Sequence, residues 1–472
     1  MDCFSNISHV RAGNIESTLK SMMNLKNKKV TVLGLARSGV AAANLLFERG
    51  AQVLVSDIKP KENLGNFINQ LVSKDIVISE NGDQIQDIKN ADLVILSPGI
   101  PSDIPAVLEA RKRNISVISE IELAYRLCKA PMIAITGSNG KTTTTSWVGE
   151  ILKATWKGPV AVAGNIGFPL STAVKDITSK GIVVAEISSF QLETIETFSP
   201  HIASILNITP NHLDRYPEMD SYANAKLRIF EFQKESDFAV INKDDIESSK
   251  RIKELKSNKI FFSVKNEVEQ GAMIKDKSIV FRNSNKDDVI CDFRDLILPG
   301  EHNLENALAA VAMVYCCGIR PDKMKEPLIS FRGVEHRLEF VRELNGVKYI
   351  NDSKATTVAA VMTALKAVSP PVILIAGGKD KGSDYTPLVE LAKNKVKQLI
   401  LIGQAKEKIR KSLNGSVPIS EASSMEEAVN QARKISRQGD SILLSPACSS
   451  YDMFTDFEER GRVFKSAVGE LK

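Results

Sequence analysis

Residues 132–143 read Met132-Ile-Ala-Ile-Thr-Gly-Ser-Asn-Gly-Lys-Thr-Thr143. A short apolar run enters a glycine-rich turn, and a helical stretch follows. This order predicts a buried strand, then a loop in which Gly137 and Gly140 let backbone N–H groups approach phosphate oxygens at a helix N-terminus. Lys141 stands where it neutralises β/γ charge, and the Thr142 hydroxyl where it can bind Mg²⁺. The eight-residue phosphate-loop pattern would place glycine at 135; Ile135 stands there.

The same rhythm of strand and helix extends outward from this stretch. Short β-branched runs recur as KVTVLG (29–34), QVLVSD (52–57), DLVILSPG (92–99), GIVVAEIS (181–188), IASILNIT (202–209), VILIAGG (372–378), QLILIG (398–403) and SILLSP (441–446). They are continuously apolar rather than alternating, as parallel strands covered on both faces are. An α/β chain of doubly wound units follows, with ligands beyond the carboxyl ends of the strands. No repeat with a period of about 20–50 residues is found. Seams near Lys129–Pro131 and Arg332–Gly333 divide the chain into a tail (1–24) and domains at 25–129, 130–332 and 333–472. Met22 and Met23, just before the first strand, mark an expected alternative start.

Composition narrows the class. At 472 residues, 43% hydrophobic and 25% charged, the chain has the length of about three globular domains and is neither disordered nor collagen-like. A net charge of +5 without a dense basic run argues against a nucleic-acid partner. The longest nearly apolar stretch, Ala307 to Cys317, is short of the ~20 residues a membrane span needs. The first residues carry no apolar segment of a secretory signal. Six scattered cysteines without a CxxC fit neither a zinc site nor a disulfide framework, and read as reduced thiols of a cytoplasmic protein.

Further motifs close the other strands. In GIVVAEISSFQLE, Glu186 is a hard oxygen ligand or a solvated strand cap. In NITPNHLDRY, His212 could ligate metal, orient a phosphate or be structural. Residues 222–229 read as a helix on which Lys226 is, by default, a surface lysine. Asn303 and Asn306, three apart before an apolar stretch, can read a base edge or cap the helix. Arg337 lies in GVEHRLE, and Asp352, Ser353 and Lys354 in YINDSKATT. AGGKDKGSDY, with Lys379 and Lys381, suits an anionic ligand, and LLSPACSSYDMF closes the last strand. Gly34, Ala36 and Gly39 stand in GxGxxG register, and Asp57 closes the next strand where a ribose-binding acid belongs. That fingerprint fits a nucleotide diphosphate as readily as NAD.

Taken in order, TGSNGKTT, EISSFQLE, NITPNHLDRY, YxxAK, GEHNLENALAA, the His336-Arg337 pair, NDSKAT and SPACSSYDMF resemble the Mur ligase family from about residue 29 to the C-terminus. SSFQLE is similar to its D-glutamate-adding branch. The resemblance implies three domains: an N-terminal Rossmann-like domain for the UDP substrate, a central phosphate-loop ATPase domain and a C-terminal Rossmann-like domain that brings the amino acid. It implies ATP-driven amide formation between UDP-N-acetylmuramoyl-L-alanine and D-glutamate, through an acyl phosphate, in peptidoglycan precursor synthesis. It also implies two Mg²⁺ ions, a carbamylated lysine, small-molecule substrates, a monomer and no membrane insertion.

Carried over residue by residue, Gly137, Ser138, Asn139, Gly140, Lys141, Thr142 and Thr143 would hold the ATP phosphates. Asn306, Arg337 and Asp352 would contact the nucleotide. Thr142, Glu186, His212 and Lys226 as its carbamate would serve the metal, and Lys141, Glu186, His212 and Lys226 the chemistry. Gly34, Ala36, Arg37, Asp57, Ser97, Gly99 and Asn165 would hold the UDP substrate. Lys354, Thr356, Lys381, Ser450 and Phe457 would receive D-glutamate or orient the transferred phosphoryl group. The base for the D-glutamate ammonium stays open between His212 and phosphate oxygens. Two positions depart from the family pattern: Asn211 stands where Asp usually precedes the histidine, and Thr357 where Asn is common. Other readings are a sister Mur ligase, a folylpolyglutamate synthase, a nucleotide-binding regulator, and an NAD-dependent dehydrogenase, which would leave the central phosphate loop unexplained.

Overall fold

All nine apolar runs read from the sequence are strands, and they fall into three sheets. The computed structural model describes residues 23–79, 82–165, 167–210, 215–216, 218–284, 286–298, 300–380 and 382–472. Residues 1–22 of the tail, Met22 among them, and Asn211, His212 and Lys381 lie outside them. By internal packing the chain divides into two units, Met1–Phe331 and Arg332–Lys472.

The first sheet holds β1 (Lys29–Leu33), β2 (Gln52–Ser56), β3 (Val77–Ile78), β4 (Leu93–Leu96) and β5 (Ser116–Ser119), all parallel, in the order β3-β2-β1-β4-β5. The strand order reverses at β1, so its carboxyl end opens into a crevice between β2 and β4. Helix α1 (Arg37–Glu48) starts there, and α2 (Glu120–Leu127) follows β5.

The second sheet holds β6 (Met132–Thr136), β7 (Val160–Gly164), β8 (Ile182–Glu186), β9 (Ile202–Ile205), β10 (Phe238–Asn242), β11 (Asn258–Ser263), β12 (Gly271–Lys275), β13 (Ser278–Asn283) and β14 (Lys286–Asp292). Its order is β14-β13-β12-β11-β10-β9-β6-β8-β7. The strands are parallel as far as β12, and β12–β14 form an antiparallel meander. Every residue of β6, β8 and β10 is buried, as continuous apolar runs require. Helix α3 (Lys141–Thr155) follows β6, α4 (Met219–Leu227) precedes β10, and α5 (Glu301–Cys316) follows the meander. Trp147 of α3 is fully buried, stacks on Phe331 with ring centroids 4.7 Å apart and donates to the Leu328 carbonyl at 3.1 Å. One continuous apolar core, from Leu25 to Ile252, serves both sheets. Their seam is also polar: buried Glu122 of α2 accepts from the Thr197 backbone N–H at 3.0 Å and the Glu196 N–H at 3.1 Å.

The C-terminal unit has one sheet of β15 (Glu339–Leu344), β16 (Val347–Asn351), β17 (Val372–Gly377), β18 (Val396–Ile402), β19 (Ile419–Glu421) and β20 (Ser441–Leu444), in the order β15-β16-β20-β17-β18-β19. It is parallel except for the β15–β16 hairpin. Helix α6 (Phe457–Glu470) closes the chain, capped by Asp456, whose side chain accepts the Glu459 N–H. Among the described residues no helix is long and apolar enough to cross a membrane, and the five described cysteines are free thiols.

Candidate active site

The turn between β6 and α3 is shaped by its neighbours. Gly140 caps α3 with φ +80°, and a Cβ there would stand 2.3 Å from Asn306 Oδ1. Asn306, on α5, comes down on the turn and accepts from Thr144 Oγ1 at 3.0 Å. Its amide oxygen therefore serves the phosphate-loop helix, and Asn303 accepts from its Nδ2 at 3.5 Å. Lys141 folds over the loop, donating to the Gly137 and Ser138 carbonyls at 2.8 and 3.0 Å. Thr142 is buried and Thr143 half-buried at the start of the helix.

Ser138 and Asn139 are held by the segment after β9. The Ser138 N–H donates to the Asn207 carbonyl at 2.9 Å, and the Asn139 N–H to Asn207 Oδ1 at 2.9 Å. Ser138 Oγ donates to the Thr209 carbonyl and accepts the Thr209 N–H, both at 2.9 Å. These two residues thus shape the loop through Asn207 and Thr209, and their own N–H groups are turned to protein.

Glu186 closes β8 beside the loop, 1% exposed. Oε1 accepts from Asn165 Nδ2 at 2.7 Å, while the buried Oε2 has no hydrogen-bond partner among the described residues. A buried carboxylate oxygen without a donor is costly unless a cation or proton completes it, so this acid fits a divalent metal. Asn165, read from the sequence as a substrate contact, has its side-chain amide on this carboxylate. Among the described residues no group of three His, Cys, Asp or Glu side chains is placed to hold a metal ion; of the expected metal donors, Thr142, Glu186 and Lys226 are described.

Lys226 is not the surface lysine of the default reading. It is 1% exposed on α4, whose polar-looking sequence turns Tyr222, Ala223 and Ala225 inward with it. Nζ lies 4.6 Å from the Tyr222 ring centroid and donates to the Gly137 carbonyl at 3.0 Å. Burial, reinforced by the charge of Lys141, pushes this amine down to about 7. Tyr222 pins the arrangement, its hydroxyl 3.2 Å from Ser138 Oγ.

The β1 turn is equally tight. Gly34 has φ +90°, and a Cβ there would meet Ile100 Cδ1 at 2.8 Å. Ser97 Oγ donates to the Gly34 carbonyl at 2.9 Å, and Asp57 accepts the Leu35 N–H at 2.7 Å and the Lys59 N–H at 2.9 Å. Asp57 and Ser97 therefore build the turn whose outer face Ala36 and Gly99 leave open. Arg37, the first residue of α1, donates to the Gly167 carbonyl at 2.7 Å, two residues from Asn165.

In the C-terminal unit, Asp352 is buried, accepting from Ser445 Oγ at 2.8 Å and the Leu338 N–H at 3.1 Å. Burial pushes its carboxyl up to about 6, against the pull of those bonds and of Arg337, which is exposed. Lys354 Nζ lies 5.8 Å from the ring centroid of Phe457, the first residue of α6. Ser450 is buried and Thr356 half-buried. Thr357 caps the helix Val358–Ala367, its side chain accepting the Ala360 N–H at 3.3 Å, a task asparagine performs as well. Sequence reasoning missed Arg460, a fully buried guanidinium donating to Ser353 Oγ, the Ser353 carbonyl and the Cys448 carbonyl. It also missed Tyr222, Asn207 and Thr209, which stood inside quoted motifs but without a signal of their own.

Three α/β sheets, with a phosphate loop, a buried acid and a buried lysine gathered on the middle one, define a nucleotide-dependent ligase architecture. Family models for the Mur ligase MurD-like N-terminal domain, the Mur ligase middle domain and the Mur ligase glutamate ligase domain match residues 28–119, 135–314 and 336–448. The chain belongs to the Mur ligase family. It is 47% identical over 454 residues to the UDP-N-acetylmuramoylalanine–D-glutamate ligase of Thermoanaerobacter pseudethanolicus, covering 95% of this chain and 100% of that protein. It is 42% identical to the ligase of the same name from Alkaliphilus metalliredigens, with the same coverage. Among solved structures it shares its fold with the UDP-N-acetylmuramate-alanine ligase MurC of Thermotoga maritima, at 21% identity and a TM-score of 0.55, over 94% of this chain and 100% of that one. The MurF ligase of the same organism, solved with ADP, has 17% identity and a TM-score of 0.55 over 94% and 99%.

Proposed function

We propose that this chain joins UDP-N-acetylmuramoyl-L-alanine to D-glutamate at the expense of ATP, making a peptidoglycan precursor. The observation that carries the reading is 47% identity over the whole length of a D-glutamate ligase, with the phosphate loop, Glu186 and Lys226 gathered at one strand end. A carboxylate repels an incoming amine and offers no leaving group, so it must first be activated. The alanine carboxylate attacks the γ-phosphorus and ADP leaves. The amine of D-glutamate then attacks the acyl phosphate, an amide bond forms and phosphate departs.

The chain's own groups serve the first step. Lys141 and the N–H groups opening α3 offset charge on the phosphoryl oxygens. The UDP moiety sits at the β1 turn, on Gly34, Ala36, Arg37, Asp57, Ser97 and Gly99. Thr142, Glu186, His212 and a carbamate on Lys226 would hold Mg²⁺, two ions in all, which would supply positive charge at the transferred phosphoryl group. The neutral amine of Lys226 adds to carbon dioxide, forming an N–C bond and releasing one proton; the product is an anion that can ligate a cation as an ammonium cannot. An amine held near 7 is about half neutral, and so available for that addition, at pH 7. Arg337, Asp352, Lys354, Thr356, Lys381, Ser450 and Phe457 of the C-terminal unit are assigned to nucleotide and D-glutamate. The domains are assigned as 25–129, 130–332 and 333–472, and the protein as a cytoplasmic monomer.

The mechanism is tested by labelling the alanine carboxylate with oxygen-18. One labelled oxygen must appear in inorganic phosphate. Phosphate without label would rule out the acyl phosphate.

A further inference from the structure

The turn after β10 reads Asn242-Lys-Asp-Asp245 and was not singled out in the sequence. Its two outer residues grip the segment 206–209, which continues β9. Asn242, buried, donates from Nδ2 to the Leu206 carbonyl at 3.0 Å. Asp245 Oδ2 accepts the Ile208 N–H at 3.2 Å, and also the Ser248 N–H at 2.9 Å and Ser248 Oγ at 2.5 Å.

Ile208 meets the Asn242–Asp245 turn through its N–H and Leu206 through its carbonyl, while the Leu206 N–H donates to the Thr136 carbonyl at 3.0 Å. Asn207 and Thr209 meet the phosphate loop, through the Ser138 and Asn139 N–H groups and Ser138 Oγ. The segment is a strap with one edge on each. Without Asp245 the buried Ile208 N–H loses its acceptor, and a buried backbone donor without a partner moves until it finds one. The neighbouring Asn207 and Thr209 cannot then keep their register against Ser138 and Asn139.

We propose that Asp245, with Asn242, is a positioning residue for the ATP phosphate loop, acting through Asn207 and Thr209. This rests on the assignment of that loop to ATP. Neither side chain touches nucleotide; their effect is on the conformation the nucleotide meets.

The experiment compares the full-length protein with Asp245→Ala, Asp245→Asn, Asn242→Ala and Ser248→Ala, reading binding of a non-hydrolysable ATP analogue with Mg²⁺ and, separately, the KM for ATP and for the UDP substrate. Asp245→Ala should weaken analogue binding and raise the ATP KM about tenfold, with the UDP-substrate KM changed less than about twofold. Asp245→Asn, which keeps an acceptor oxygen, should recover most of that loss. Ser248→Ala removes only the hydroxyl from the Asp245 cap and should leave ATP binding as in the parent. Asn242→Ala, which breaks the Leu206 bond and frees the Asp244 N–H from Asn242 Oδ1 but leaves the Asp245–Ile208 bond, should move ATP binding in the same direction as Asp245→Ala and carries the test if the latter does not fold. Three results would overturn the proposal: unchanged analogue binding in Asp245→Ala or Asn242→Ala, equal shifts for both substrates, or a Ser248→Ala that reproduces the effect. Binding is read without turnover, so a parent that binds the analogue yet forms no amide would sink the functional assignment and leave this proposal to the binding data.

Discussion

Asn165 holds one oxygen of Glu186 at 2.7 Å, and the other is buried and has no hydrogen-bond partner among the described residues. The amide fixes the carboxylate's rotation so that the second oxygen is presented in a set direction. Outer partners of metal ligands of this kind are worth about 10–100-fold in metal affinity or activity. Asn165→Ala should therefore raise the Mg²⁺ concentration for half-maximal ADP release about tenfold or more. A Mg²⁺ titration checks this, and an unchanged midpoint would show that Glu186 needs no such support.

Gly140 faces Asn306 at a distance that admits no side chain. Gly140→Ala should lower stability by ~2 kcal/mol or more, combining a left-handed conformation with a clash, and should abolish binding of an ATP analogue. Adding Asn306→Gly removes the clashing atom but not the backbone strain. The double variant should regain part of the lost Tm and little of the binding.

Lys226 sets function against stability. Its folded-state value, about 7, lies below the usual lysine range, so the folded protein binds this proton less readily than the unfolded chain. The stability it contributes is full above about 10.5 and is lost as pH falls toward 7. Lys226→Met in carbon-dioxide-free buffer at pH 7 should therefore raise stability, by up to ~4 kcal/mol, while turnover is lost. The Gly137 carbonyl keeps Lys141 as a donor in that variant. Thermal unfolding and ADP release measured together check both halves, and a lower Tm would refute the electrostatic argument.

Asp352 works in the opposite direction. Its carboxyl, raised to about 6, binds a proton more tightly in the folded state, so its contribution is full below about 3.8 and is lost as pH rises through 6. Asp352→Asn should match the parent in stability near pH 4 and exceed it by up to ~3 kcal/mol above pH 7. Unfolding of the full chain across that range tests it; a constant difference would place the cause elsewhere.

The contrast among these residues shows what the sequence made legible. The β6 loop was readable because strand, glycines, lysine and threonine are consecutive in the sequence. Parallel strands were readable because both faces are buried. The β12–β14 meander was not, since Lys286–Asp292 flanks a three-residue apolar block with Lys286, Asp287, Asp288 and Asp292 and shows no strand period. The runs also ended early: 202–209 is a strand only to Ile205, because its last four residues leave the sheet to strap the phosphate loop. Burial of Lys226 could not be read from a helix with no apolar stripe. The Asn165–Glu186 bond joins residues 21 apart, and Arg460 reaches Ser353 across 107; neither leaves a local pattern.

The most direct test of the account is ADP release with ATP, Mg²⁺ and UDP-N-acetylmuramoyl-L-alanine, run with D-glutamate, L-glutamate, L-alanine, meso-diaminopimelate or no amino acid. Turnover with D-glutamate alone is the predicted result. Turnover with another amino acid and none with D-glutamate would contradict it, as would a protein that binds ATP but releases ADP with none of them.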